Sequence, residues 1–278
     1  MNCGAPDERM GELRCPGFNL AHTLDSGQFF RHLQHDEWHY LVTREKAFRC
    51  RQNGDKLIVE GVTPAFARRF FGLDENYAHI RNELRKDPVL RIAFQKYAGM
   101  RIIRQDPWEC TVGFLCSQFS NIKKIKLNLE CIARHFGKKT TFKGRTFHTF
   151  PSPGEINDAA KLKACAVGFR AKYILSVNAA VNDAWFAKLR NLPYEQAKEK
   201  LMELPGIGEK VADCILLFSL DKTEAFPVDV WMERAIRETY LKGKKIPLNK
   251  LGAWGRQRWG ALAGYAQQYL YHWRRLHT

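Results

Sequence analysis

The segment YEQAKEKLMELPGIGEKVADCILLFSL, residues 194–220, leaves the fewest options for folding: it reads as helix, tight turn, helix. Leu204 and Pro205 end the first helix, and Gly206 and Gly208 permit positive φ and close backbone approach. The second helix then begins with several N–H groups that have no intrahelical acceptor. Such a hairpin is either an ordinary αα-corner or a cradle for phosphates that grips a nucleic-acid backbone. Lys210 stands one residue inside the second helix, where the positive end of the helix disfavours an ammonium. That placement is expected to lower its pKa and free the amine, and amines of this kind act as nucleophiles and Schiff-base formers. The plain reading is an exposed lysine on a basic surface. Further on, AFPVDVWMERAIRETY puts Asp229 at the N-cap of another helix. It reads as the cap alone, or as a carboxylate held ionised by backbone donors and aimed back at the hairpin.

The rest of the chain divides in two. In FFRHLQHDEWHYLVTREKAFRCRQNGDKLIVEGV, aromatic and β-branched residues mix with polar ones, and Asn53–Gly54–Asp55 is a hairpin turn signal. From Pro64 the spacing becomes helical, with segments opened or closed by Asp, Asn or Pro, as in TPAFARRFFGL and DPWECTVGFLCSQFS. NIKKIKLNLECIARHFG places Ile122, Ile125, Leu129 and Ile132 on one face and closes with Gly137. TFKGRTFHTFPSPGE reads as a loop, and NKLGAWGRQRWGALAGYAQQYLYHWRRL as the last helical stretch. The expected fold class is α+β: a small antiparallel β-rich N-terminal domain (1–63) and a larger all-α domain (64–278) with the hairpin at about 194–219.

Charge narrows the partners. Lys+Arg 45 against Asp+Glu 29 gives +16, which suggests a polyanion such as nucleic acid or an acidic membrane surface. The eight cysteines show no C-x-x-C and no tight cluster in sequence, and read as reduced thiols of an intracellular protein. MNCGAPDERMGEL lacks an apolar targeting core, and no apolar run is long enough to span a bilayer, so a soluble protein away from membranes is expected.

Hairpin, lysine and distant PVD together resemble the helix-hairpin-helix, Gly/Pro-Asp superfamily of DNA glycosylases. LPGIGEKVADCILLFSLDKTEAFPVDV is similar, nearly position by position, to its 8-oxoguanine DNA glycosylase branch. The likeness extends to HTLDSGQFFR, IIRQDPWECTVGFLCS, VGFRAKYI and GYAQQYLYHWR, almost the whole chain. It implies that Lys210 attacks C1′ of the damaged nucleotide, displaces the base, and forms a Schiff base leading to β-elimination. Asp229 would stabilise the positive transition state and assist proton transfer. Cys214 and Tyr271 would sandwich the extruded purine, with Tyr271 replacing the family's more usual Phe, and Gln267 would meet its Watson–Crick edge. Gly27 would present a carbonyl to the N7–H that distinguishes the lesion from guanine, a difference of roughly 1–3 kcal/mol. Without the resemblance, Cys214 and Tyr271 read as helix packing and Gly27 as a turn glycine.

VGFRAKY resembles the segment that wedges into the duplex, so Phe169 would fill the step beside the extruded base and Arg170 would contact the estranged base opposite. Where many family members carry an asparagine-rich run and then an arginine, this chain has CSQFSNIKKI, placing Phe119 at the gap-filling position and Lys124 at the arginine's. Lysine is a single point donor where arginine offers a fork, which implies relaxed preference for the opposite base. Relatives with iron–sulfur clusters carry four C-terminal cysteines, whereas the last here is Cys214, and 3-methyladenine glycosylases usually lack the lysine. A glycosylase of the same superfamily for another lesion remains a rival. So does a non-catalytic helix-hairpin-helix module, though that would not need Lys210 and Asp229 together. The expected partner is double-stranded DNA containing oxidised guanine, met by a monomer without metal or other cofactor, inside the cell with the DNA.

Overall fold

The computed structural model describes residues 10–276; Cys3, with the rest of segment 1–9, lies outside them. Five strands form one antiparallel sheet: β1 (Met10–Arg14), β2 (His32–His35), β3 (Trp38–Val42), β4 (Ala47–Asn53) and β5 (Lys56–Glu60), in the order β1-β5-β4-β3-β2. β4 and β5 turn at Gly54–Asp55, with Asn53 opposite Lys56 and Gly54 at φ 55°. Leu13, Leu41, Phe48, Leu57 and Val59 bury one face of the sheet against a short helix, Leu20–Asp25, and the helix Pro64–Phe70.

Two features of this region escaped the sequence. β1 lies in the polar start and pairs with β5 from Met10↔Glu60 to Arg14↔Lys56. The stretch read as a loop contains a hairpin, β6 (Lys139–Phe142) and β7 (Arg145–His148). Its two turn residues, Lys143 and Gly144, both take positive φ, 50° and 73°, which matches the twist of a two-residue hairpin. Phe142 and Phe147 cover Tyr40, Val42 and Ala47, so the helical part of the chain supplies the lid for the sheet's second face.

The remainder is helical among the described residues apart from that hairpin and its loops. Three of its helices begin where an oxygen-bearing side chain precedes proline. Thr63 accepts from Phe66 N–H, Asp87 from Val89 and Leu90 N–H, and Asp106 from Glu109 N–H, each followed by proline in the first turn. Helix Pro107–Cys116 is buried along nearly its whole length and runs through the main core, flanked by helices Ile122–Phe136, Arg170–Ala180 and Glu209–Ser219. Ile125, Leu129 and Ile132 are buried on one face of Ile122–Phe136, as the spacing predicts. The last helical stretch is two helices, Leu248–Trp259 and Ala263–Arg275, parted by Gly260 at φ 55°. No helix among the described residues is long and apolar enough to cross a membrane.

Candidate active site

The hairpin consists of helices Tyr194–Met202 and Glu209–Ser219. Gly206 is at φ 81°, and a Cβ there would lie 2.4 Å from the Tyr173 ring, so both conformation and contact exclude a side chain. Gly208 differs from expectation: its φ is −92° with ψ 179°, an extended N-cap conformation open to any residue. Its Cβ position faces open space, so glycine there leaves the approach to the helix end clear. No side chain caps that end, and the first helical bond runs from Ala212 N–H to the Gly208 carbonyl (2.9 Å). The preceding N–H groups therefore point outward for an anion. Asp213 locks the two helices together, accepting from Tyr194 Oη (2.5 Å) and from Lys198 Nζ (3.2 Å).

Lys210 is half-buried and turns inward, donating to Ser117 Oγ (3.1 Å), with Nζ 5.1 Å from the centre of the Phe114 ring. Ser117 in turn donates to the Phe114 carbonyl (2.7 Å). Asp229 caps helix Val230–Thr239, its Oδ1 accepting from Trp231 N–H (3.0 Å) and Met232 N–H (2.8 Å). Asp229 is therefore a cap that also lines the same pocket as Lys210. That pocket joins Gly27, Lys210, Cys214, Asp229, Gln267 and Tyr271, which come from four separate parts of the chain. Its free volume is small, about 40 Å³.

The pocket walls are chemically quiet apart from the lysine. Burial pushes the Cys214 thiol up to about 12, against the opposing pull of Lys210, so it stays protonated and inert. Burial also raises Tyr271, with Asp229 adding to it. Gln267 is 5% exposed, and its Oε1 is buried with no hydrogen-bond partner among the described residues. An unsatisfied buried amide oxygen costs about 1–3 kcal/mol, which a ligand's donor would recover.

Gly27 sits at φ 79° in a loop held from several sides. Gln268 Nε2 donates to the Ser26 carbonyl (3.0 Å), and Arg275 reaches the Asp25 carbonyl. Gln28 bonds Ser26 Oγ (2.8 Å) and the Arg101 carbonyl (2.8 Å), accepts from Ile103 N–H (2.6 Å), and its own carbonyl takes Gln105 Nε2 (2.7 Å). Nothing in the sequence separates Gln28, Gln105 and Gln268 from surface glutamines. Only their burial shows that they fix the glycine loop against the pocket.

The family model for the 8-oxoguanine DNA glycosylase N-terminal domain matches residues 13–111. A probable N-glycosylase/DNA lyase of Methanothermobacter thermautotrophicus is 33% identical over 209 residues, 67% of this chain and 67% of that protein. A solved structure of MBOgg1 in complex with a low-affinity DNA ligand superposes with TM-score 0.90 at 33% identity, covering 96% of this chain and 95% of that one. The chain belongs to the 8-oxoguanine DNA glycosylase family. A third comparison, the Clostridium acetobutylicum 8-oxoguanine glycosylase/lyase in complex with double-stranded DNA containing cytosine opposite 8-oxoguanine, gives TM-score 0.89 at 29% identity, covering 98% of this chain and 99% of that one.

Beside the pocket of this 8-oxoguanine glycosylase-family chain stands an aromatic ridge. After helix Pro107–Cys116 the backbone turns through Phe119 at φ 46°, leaving its side chain 95% exposed. Phe169 is 47% exposed, and the two rings meet edge to face at 6.3 Å. Gln118 Nε2 donates to the Gly206 carbonyl (3.1 Å), tying the ridge to the hairpin. Lys124 is exposed in the first turn of helix Ile122–Phe136. Arg170 is not a free surface arginine. It is only 4% exposed, and its guanidinium donates to the carbonyls of Gln118, Phe119 (3.1 Å) and Val167 (3.0 Å). The Gln118 and Phe119 carbonyls at the positive-φ turn need donors, and the Arg170 guanidinium supplies them.

Proposed function

We propose that the chain excises 8-oxoguanine from duplex DNA and then nicks the abasic strand, with Lys210 as the nucleophile of both steps. The single observation that carries this reading is the convergence of Lys210, Asp229, Cys214, Gln267, Tyr271 and Gly27 on one pocket next to an uncapped helix end. The uncapped helix end holds a phosphate, and Phe119 and Phe169 occupy the stack as the nucleotide swings out. Base entry widens the pocket, since about 40 Å³ is far below the space a ligand site of this kind requires. Gln267 Oε1 then gains the donor it lacks, Cys214 and Tyr271 flank the purine, and the Gly27 loop meets N7–H.

In the first step the Lys210 amine lone pair forms the bond to C1′ as the C1′–N9 bond breaks. The base leaves with the electron pair and takes up a proton. Asp229, oriented by two backbone donors, opposes the positive charge that develops on the sugar. The resulting N,O-acetal opens as its C1′–O4′ bond breaks and O4′ takes up a proton, leaving a Schiff base between Lys210 and C1′. Loss of the C2′ proton then expels the 3′ phosphate, and hydrolysis returns the lysine. The amine must lose a proton before attack, and Ser117 holds Nζ in position meanwhile.

Recognition of the opposite base is proposed to be loose: Arg170 is committed to the turn, Phe119 offers no hydrogen-bond group, and Lys124 is a single point donor. One chain carries the whole pocket, so a monomer suffices, working wherever the DNA is. The test is single-turnover excision on duplexes carrying 8-oxoguanine, unmodified guanine or an alkylated adenine at one position. Release of 8-oxoguanine with negligible release of the other two supports the reading. Preference for the alkylated base would assign another lesion.

A further inference from the structure

Helix Ile122–Phe136 carries Cys131 and His135 four residues apart, hence on one face. Cys165 ends the helix Ala159–Ala164, which packs against it. Although 34 residues separate the two cysteines in sequence, folding brings one ligand atom from each of Cys131, His135 and Cys165 within 4.8 Å of one another. None of the three takes part in the chemistry of the lysine pocket.

We propose that Cys131, His135 and Cys165 form a zinc site. Two thiols and an imidazole are the donors that Zn²⁺ favours, and they suit neither Mg²⁺ nor Ca²⁺. With bonds of about 2.0–2.3 Å, the donors of a tetrahedral zinc site stand roughly 3.5–3.8 Å apart, which rotamer adjustment alone can reach from the present spacing. Asn128, one turn before Cys131, supplies an independent observation. It is 2% exposed and donates through Nδ2 to the Cys165 carbonyl (2.6 Å), while its Oδ1 is buried with no hydrogen-bond partner among the described residues. That spare oxygen can accept from a zinc-bound water in the fourth position. A cleft of about 480 Å³, lined by Asn128, Cys131 and Cys165, offers the route in. His135 is exposed and Cys131 half-buried, so these two donors are reachable from solvent, while Cys165 is buried.

The lysines at the mouth of this cleft, Lys123 and Lys124, do not forbid a cation. Binding one Zn²⁺ to two thiols releases two protons, so the net charge of the site is unchanged. The site fastens helix Ile122–Phe136 to the short segment that runs through Ala166 and Gly168, both at positive φ, to the exposed Phe169. Its role is structural, steadying the ridge from behind.

The experiment uses the full chain, reduced and stripped with a chelator, then titrated with Zn²⁺ against a competing indicator and, separately, with Co²⁺. The expected result is one metal per chain, a thiolate-to-cobalt charge-transfer band, and a raised Tm. Cys131→Ser and His135→Ala, both at accessible positions, should each weaken binding by more than about 100-fold, beyond what loss of an outer-shell partner costs. Both should retain base excision, which also shows that they are folded. Absence of stoichiometric binding, or binding untouched by both variants, would overturn the proposal. So would a Cys131–Cys165 disulfide that forms as fast in zinc-saturated protein as without zinc.

Discussion

Gly27→Ala places one methyl group where it can interfere with the base and with nothing else in the reaction. At φ 79° an alanine is strained, which costs about 1–2 kcal/mol of stability. The added Cβ would lie 2.9 Å from Arg275 Nη1 and 3.2 Å from Ile122 Cδ1, with Tyr271 Cε1 at a contact distance of 3.4 Å. The arginine end can yield, but it anchors the loop through the Asp25 carbonyl, so the loop that lines the pocket shifts. A displacement on the order of 1 Å in such a site costs about 100-fold in rate. Two substrates expose the origin of the loss in single-turnover assays. On duplex containing 8-oxoguanine, excision should fall by about 100-fold. On a duplex with a preformed abasic site, strand cleavage should change by less than about threefold, because no base has to enter, leaving only the strain to be felt. Equal losses on both substrates, or none on either, would refute the assignment of Gly27 to base recognition.

Asp229→Asn keeps the acceptor that caps helix Val230–Thr239, so Tm should hardly move while excision slows by roughly 10²–10³-fold; a stable, fully active variant would reduce Asp229 to a cap. Excision opposite cytosine, adenine, guanine and thymine should differ by no more than about tenfold, since a base-edge fork worth about 1–3 kcal/mol is missing. A cytosine preference of roughly several hundred-fold would show that some other group reads that base. His272 is pushed down to about 4 by burial, with Arg275 and His22 adding to it. The folded state therefore binds fewer protons than the unfolded chain, and stability is full above about pH 6.5 and falls as pH drops toward 4. This histidine accounts for a loss on the order of 3 kcal/mol. Denaturant titrations of His272→Phe should show a shallower decline over that window, and an unchanged slope would remove His272 from the account.

Two residues of the candidate site carry local signals: Lys210 follows a glycine-bracketed turn and Asp229 precedes a helix. Cys214, Gln267, Tyr271 and Gly27 carry none of their own and enter through the family resemblance, because packing or a turn explains each of them equally well. What remained hidden depends on partners distant in sequence. Arg170 looks like a surface arginine until the turn at Phe119 strands carbonyls beside it. The β6–β7 hairpin is four residues to a strand and gains its stability from the sheet it covers, with Lys143, not asparagine, at the first turn position. Gly208 permits positive φ by its residue type but is extended, and open space at the helix end, not the dihedral, explains it. Ser117 gave no signal of its own, and its hydroxyl matters only because Lys210 arrives from 93 residues away.

The central claim is that Lys210 bonds to the sugar of the damaged nucleotide, and reductive trapping tests it most directly. Incubating the protein with 8-oxoguanine duplex in the presence of borohydride, digesting, and sequencing the cross-linked peptide by mass spectrometry identifies the attached residue. The account predicts a covalent adduct on Lys210, absent with Lys210→Gln although that variant still binds the duplex. An adduct on any other residue, trapping that survives Lys210→Gln, or excision of the lesion with no adduct at all would contradict it.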